Sequence, residues 1–192
     1  MTTKKETRTF NIENLNTRDG GEGESVIGGY AAVFNSPTEI GGGCFTEEIA
    51  PGAFSRAIAE NSDIRALFNH DWNNVLGRTK SGTLQLSEDE RGLKFEVTLP
   101  NTSLGRDLKE SMQRGDINEC SFGFIPTEEH WDYNVEPAKR MILEVDLFEI
   151  SVVSIPAYED TEASVIRSKE VNEQVEKRMN LIKKINTTLE AI

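Results

Sequence analysis

Ser121 stands in the segment INECSFGF, between Cys120 and a Phe-Gly-Phe run. A hydroxyl in a strand-like apolar stretch either bonds to a nearby carbonyl or serves as a nucleophile. The second use needs a neighbouring base, because a serine hydroxyl is protonated at neutral pH. The chain has 2 histidines to supply one. His70 ends the apolar run IRALFNH, ahead of the turn-like DWNN, and the end of a strand is a good place from which to face a cleft. His130 lies in TEEHWDY, a charged stretch that reads as an exposed loop. A third group must orient the imidazole and stabilise its cation. Read as one alternating strand, MILEVDLFEIS puts Met141, Leu143, Val145 and Leu147 on one face, with Glu149 next in that phase. A carboxylate in a hydrophobic row is costly to bury unless something pairs with it. Glu149 is therefore the charge whose position asks for a reason, unless an exposed strand end or a bulge supplies one. Glu144 and Asp146 fall on the opposite face and read as solvated.

Cys120 is the rival nucleophile. Neighbouring strand residues face opposite ways, so if Ser121 meets a cleft, Cys120 points into the core with Phe122 and Phe124. Gly123, on the face of Ser121, would leave room for a substrate backbone to approach, or mark a bulge. Other motifs are missing. EIGGGCF lacks the lysine and following helix of a phosphate loop, and Ser121 is not in a Gly-x-Ser-x-Gly elbow. The histidines and cysteines are far apart in sequence, which argues against zinc, and no cofactor is expected.

The elements that must position these residues are mostly strands. RTFNI, SVIGGYAAVF, DIRALFNH, GTLQLSED, LKFEVTL and RMILEVDLFEISVVSIPA carry short alternating runs punctuated by glycine. PGAFSRAIAE reads as a short helix with Pro51 in its first turn. TSLGRDLKESMQRG reads as a better one. Thr102 or Ser103 can cap it, Leu104, Leu108 and Met112 form its stripe, and Gly115 can end it. Many strands with few helices predict a mainly β α+β domain or a barrel.

The pattern changes at Ser168. Val171, Val175, Arg178, Ile182, Ile185, Leu189 and Ile192 keep a heptad spacing, which suits a surface helix that packs back on the domain or, the reading preferred here, one that meets its own copy or another protein. The organisation read from the chain is an N-terminal arm and first strand over 1–27, one domain over 28–167, and an amphipathic helical tail over 168–192. Of 192 residues, 33 are acidic and 21 are Lys or Arg, a net charge of −12. Such a surface repels phosphate backbones and anionic lipid, so neither nucleic acid nor membrane is an expected partner. MTTKKETRTF lacks the apolar run of a signal peptide, and 2 cysteines make no disulfide framework.

LFNHD, GLKFEVTLP, CSFGF and LFEISVVSIPA, in this order and spacing, resemble the prohead (head maturation) proteases of tailed bacteriophages. GYAAVFNSPT and EEIAPGAFSRAI fit the same family, so the resemblance runs from about Gly28 to Ile166. It implies a serine endopeptidase with a fold like herpesvirus assemblin, a β-barrel surrounded by a few helices. It also implies a substrate, the capsid protein precursor or its scaffolding segment, and the protease itself. The place of action would be an assembling prohead in the host cytoplasm. Carried over by position, the family's histidine falls on His70, its serine on Ser121 and its acidic residue on Glu149. Assemblins use a second histidine as third member, so His130 is the alternative to Glu149. Oxyanion donors would be backbone N–H groups near Ser121 or after Glu149. Against this stand a catalytically silent scaffold or capsid-binding module, and a thiol hydrolase using Cys120.

Overall fold

A computed structural model describes residues 4–19, 25–60 and 62–154. The tail over 168–192 lies outside them. Eleven strands are described: β1 Glu6–Asn11, β2 Glu13–Asp19, β3 Ser25–Val33, β4 Thr38–Ile40, β5 Phe45–Ile49, β6 Arg65–Phe68, β7 Asp71–Arg78, β8 Leu84–Glu88, β9 Gly92–Leu99, β10 Glu119–Asp132 and β11 Ala138–Val153. Helix α1 covers Ser55–Ala59 and α2 covers Ser103–Arg114. The fold is α+β and mainly β, as the alternation predicts.

Two units divide the chain. The first comprises residues 1–36, 49–129 and 142–157. Its described strands form two sheets, in the orders β1-β10-β11-β6-β7 and β2-β3-β9-β8. The closed barrel expected from the family resemblance is not found. Closure requires the outer strands of a sheet to pair with each other, and β1 and β7 each pair on one side only among the described residues.

The core of this unit explains why β10 lies as it does. Cys120, Phe122 and Phe124 are fully buried on one face of the strand. The Phe122 ring stacks on Phe10 at 5.9 Å and meets Phe54 edge-on at 5.4 Å and Phe124 at 5.1 Å. An aromatic cluster of this kind contributes both buried area and ring geometry, and it forces Ser121 and Gly123 to the other face. Strand β1 runs antiparallel beside β10, with Thr9 opposite Ser121 and Thr7 opposite Gly123.

Helix α2 follows the sequence closely. The Thr102 side chain accepts a hydrogen bond from the Gly105 N–H at 3.3 Å, Leu108 and Met112 are buried, and Gly115 ends the helix at φ 80°. Helix α1 is shorter than predicted. Gly52, at φ 90°, belongs to a turn closed by Ala53 N–H to Ala50 O at 3.2 Å, so Pro51 lies in that turn and not in the helix.

The hairpin of β6 and β7 carries His70. Phe68 pairs with Asp71, leaving Asn69 and His70 as a two-residue connection. Both have positive φ, 54° and 58°, the pattern of the type I′ turn that matches strand twist. Asn and His tolerate this region better than most residues. Asn69 also ties the turn to the end of β11. Its N–H bonds to Val152 O at 3.0 Å, and its Oδ1 accepts from the Ser154 N–H at 2.9 Å. At the far end of the hairpin, Arg78 grips Asp63 through Nε at 2.6 Å and a second nitrogen at 2.7 Å. This guanidinium holds the Asp63 carboxyl down to about 2.

Of the described residues, the second unit comprises 37–48 and 130–141. In it, Thr38, Glu39 and Ile40 of β4 pair with Glu47, Thr46 and Phe45 of β5. A buried ion pair joins Arg140 to Glu47 at 2.8 Å, and the Phe45 and Trp131 rings lie 5.0 Å apart.

Candidate active site

Three neighbouring elements of one sheet in the first unit supply the candidate side chains. Strand β11 supplies Glu149, only 1% exposed. The β6–β7 turn supplies His70, and its Nδ1 lies 2.8 Å from Glu149 Oε1. A carboxylate only accepts hydrogen bonds, so Nδ1 carries the proton. In the neutral ring this leaves the Nε2 lone pair free. The other carboxylate oxygen, Oε2, accepts a 2.6 Å hydrogen bond from Ser151 Oγ.

Strand β10 supplies Ser121, which has no exposed surface. Its position relative to Glu149 follows from Gly123, two residues on and on the same face. A Cβ added at Gly123 would sit 2.5 Å from Glu149 Oε1 and 2.8 Å from Lys5 Cε. Glu149 and Lys5 therefore use the space beside Gly123, so it is not the open approach for a substrate backbone that the sequence suggested. Among the described residues, two buried side-chain polar atoms lack a hydrogen-bond partner: His70 Nε2 and Ser121 Oγ. The His70 side chain is 31% exposed, so its exposed edge is not the Nε2 corner. Orphaned buried polar atoms are rare and ask for a reason.

The close approach at Gly123 gives a first expected result. Gly123→Ala places a methyl where Glu149 Oε1 sits. Lys5 is exposed and can move aside, but Glu149 is held at both oxygens. The carboxylate must shift, and a displacement of about 1 Å in such a constellation costs on the order of 10²-fold in rate. Reaction with a fluorophosphonate probe, followed beside a thermal melt, checks this. A variant that reacts at the parent rate would show that the carboxylate's position is immaterial.

Cys120 sits in the core as the alternation predicts. Burial pushes its thiol pKa up, and the nearby Glu149 charge adds to the effect. A thiol that resists ionisation is a poor nucleophile. His130 is exposed and lies on strand β10, not in a loop. Asp146 and Glu144 bind Arg56 at 2.7 Å and 2.9 Å. Ser151 is the contributor that sequence reading missed. Its signal was the Glu-x-Ser spacing, which puts both side chains on one face of a strand. Among the described residues, no helix is long and apolar enough to cross a membrane.

A mainly β α+β domain with a hydroxyl, an imidazole and a buried carboxylate on one side of a sheet is a hydrolase-like arrangement. A family model described as Caudovirus prohead serine protease matches residues 12–177. The chain belongs to that family, and the match extends beyond both ends of the stretch recognised from motifs. The chain is also similar to the prohead protease of Escherichia phage T5, at 27% identity over 112 residues. That match covers 58% of this chain and 50% of the T5 protein, so it spans half the relative's length. The structure of the bacteriophage T4 capsid assembly protease, gp21, superposes with a TM-score of 0.57 at 11% identity. It covers 79% of this chain and 98% of that one, a likeness of fold alone.

Proposed function

We propose that this chain is a serine endopeptidase of phage head maturation, with Ser121 as nucleophile, His70 as base and Glu149 as the acid. The capsid protein precursor or its scaffolding segment is the substrate, the protease cleaves itself as well, and both reactions belong inside the assembling prohead. One observation carries the reading. Among the described residues, the two buried side-chain polar atoms without partners, His70 Nε2 and Ser121 Oγ, are the two that such a reaction joins.

In this mechanism Ser121 Oγ attacks the scissile carbonyl carbon while its proton passes to His70 Nε2. Glu149 keeps the Nδ1 proton in place and stabilises the imidazolium. The C–N bond then breaks, and the leaving amine takes the proton from Nε2. Water, deprotonated by the same nitrogen, releases the acyl group in a second cycle. Oγ and Nε2 are not bonded to each other here, and such catalytic contacts commonly tighten only when substrate binds. Full burial of Ser121 also means that its surroundings must open to admit a peptide. That burial is what favours the rival reading, a catalytically silent assembly module that binds capsid protein.

Incubating purified chain with a tagged capsid precursor, and weighing the products by mass spectrometry, separates the two. The endopeptidase yields defined fragments and the silent module returns the precursor intact. A chain ending at 168, run alongside, tests the tail as a recruiting element that binds a partner or a second copy. It should cleave short peptides as the parent does but process assembled precursor more slowly.

A further inference from the structure

We propose that Ser151 is a positioning residue that fixes the plane of the Glu149 carboxylate, so that one of its oxygens stays turned toward His70 Nδ1. This inference rests on the serine protease reading and deepens it. Glu149 is 1% exposed and Ser151 is fully buried. Between them runs a 2.6 Å hydrogen bond, in the range of a hydroxyl donating to a charged acceptor. The donor must be the hydroxyl, since a carboxylate has nothing to donate.

The terminal torsion of a glutamate is broad and roughly two-fold, so burial alone does not choose an orientation for its carboxylate. Two donors do. His70 Nδ1 takes Oε1 at 2.8 Å and Ser151 takes Oε2. The Ser151 backbone is itself fixed. Glu149, Ile150, Ser151 and Val152 pair in parallel with Arg65, Ala66, Leu67 and Phe68 of β6. That strand leads directly into the Asn69–His70 turn. One ladder therefore sets the hydroxyl, the carboxylate and the start of the turn that carries the imidazole. Losing the hydroxyl would leave a buried carboxylate oxygen without its donor and free the group to rotate away from Nδ1. The tautomer with a bare Nε2 would then be held less firmly.

The test uses the full chain and a fluorophosphonate probe, which needs no knowledge of the natural substrate. Ser121 Oγ forms a bond to phosphorus, the P–F bond breaks with loss of fluoride, and the serine proton passes to His70. Ser151→Ala should lower the maximal rate of labelling roughly 10- to 100-fold, the span expected for one hydrogen bond to a charged group. The half-saturating probe concentration should not change. Ser151→Thr keeps the hydroxyl and should recover most of the rate. If its extra methyl disrupts packing, Ser151→Cys keeps the volume with a weak donor and should resemble alanine. The His70 Nδ1–H proton resonance supplies a readout independent of reaction. It should move or broaden in Ser151→Ala, return in Ser151→Thr, and mark the parent at all times. An unchanged resonance with parent-like labelling in Ser151→Ala overturns the inference, leaving Ser151 a merely structural hydroxyl. Parent-rate labelling in Ser121→Ala, or a parent that does not react, overturns the serine reading beneath it instead.

Discussion

Ser121→Ala is expected to abolish cleavage of capsid precursor and of the chain itself, and to leave the fold intact. Removing the nucleophile of a serine triad lowers kcat on the order of 10⁶-fold, which is complete loss in a processing assay. The fold should survive because Ser121 Oγ has no hydrogen-bond partner to lose. Taking away an unsatisfied buried hydroxyl leaves stability unchanged or slightly raised. Cys120→Ala, one residue away, should behave in the opposite manner. Its side chain lies in the core beside Phe122 and Phe124, so the variant should keep activity and lose about 1 kcal/mol of stability. Labelling by fluorophosphonate, located by mass spectrometry of peptides, checks both variants with one reagent. Label on any residue other than Ser121, or reversed behaviour of the two variants, would make the thiol or another group the nucleophile.

How far the sequence disclosed this site depended on how regular each element is. Helix α2 and the strand holding Ser121 were legible because cap, stripe and alternation agree there. The β6–β7 hairpin was not. DWNN carries turn-forming residues, yet Asp71–Arg78 is strand β7 and the turn is the Asn69–His70 pair before it. A turn built from two non-glycine residues at positive φ gives little compositional signal. His70 thus sits on the turn itself, not at the end of the strand. Strand β10 continues through TEEHWD because pairing in a long hairpin overrides the weak strand propensity of charged residues.

Glu149 shows a residue picked out by an argument that holds only in part. The proposed row of Met141, Leu143, Val145 and Leu147 is not one face of β11. Burial follows Ala138, Arg140 and Ile142, resumes one residue out of step at Val145, Leu147 and Glu149, and covers both faces from Glu149 to Val153. Met141 and Leu143 are only partly buried. Glu149 is buried, as the costly-carboxylate argument required. It lies beside Gly123, in step with Val145 and Leu147, while Ile150 and Val152 belong to the core cluster. Alternation could not have shown the break at Leu143 and Glu144, because twist and bulges are set by the neighbouring strands.

Glu149→Gln is the second large effect to expect, a loss in kcat of about 10²–10⁴. The amide keeps the shape of the carboxylate and removes its charge, so the imidazolium formed during attack loses its stabilising partner. Its two ends also differ, which the carboxylate oxygens do not. With the amide oxygen toward His70, the Nδ1 proton is retained and the NH2 group donates to Ser151 Oγ, whose hydroxyl can rotate to accept. With the NH2 toward His70, Nδ1 must become the acceptor, and a neutral ring then carries its proton on Nε2. That nitrogen can no longer take the proton of Ser121. Both arrangements slow the chemical step, and the second stops it. KM should change little, since Glu149 touches the base and both its oxygens are taken, by His70 and Ser151. His130→Ala, at an exposed position, and Asp146→Asn, in a surface pair with Arg56, should stay within a few-fold of the parent. The comparison is decisive between the two third members that the sequence left open. A crippled His130→Ala beside a mild Glu149→Gln would give the role to the second histidine, as in the assemblins, and would reduce the His70–Glu149 contact to a structural pair.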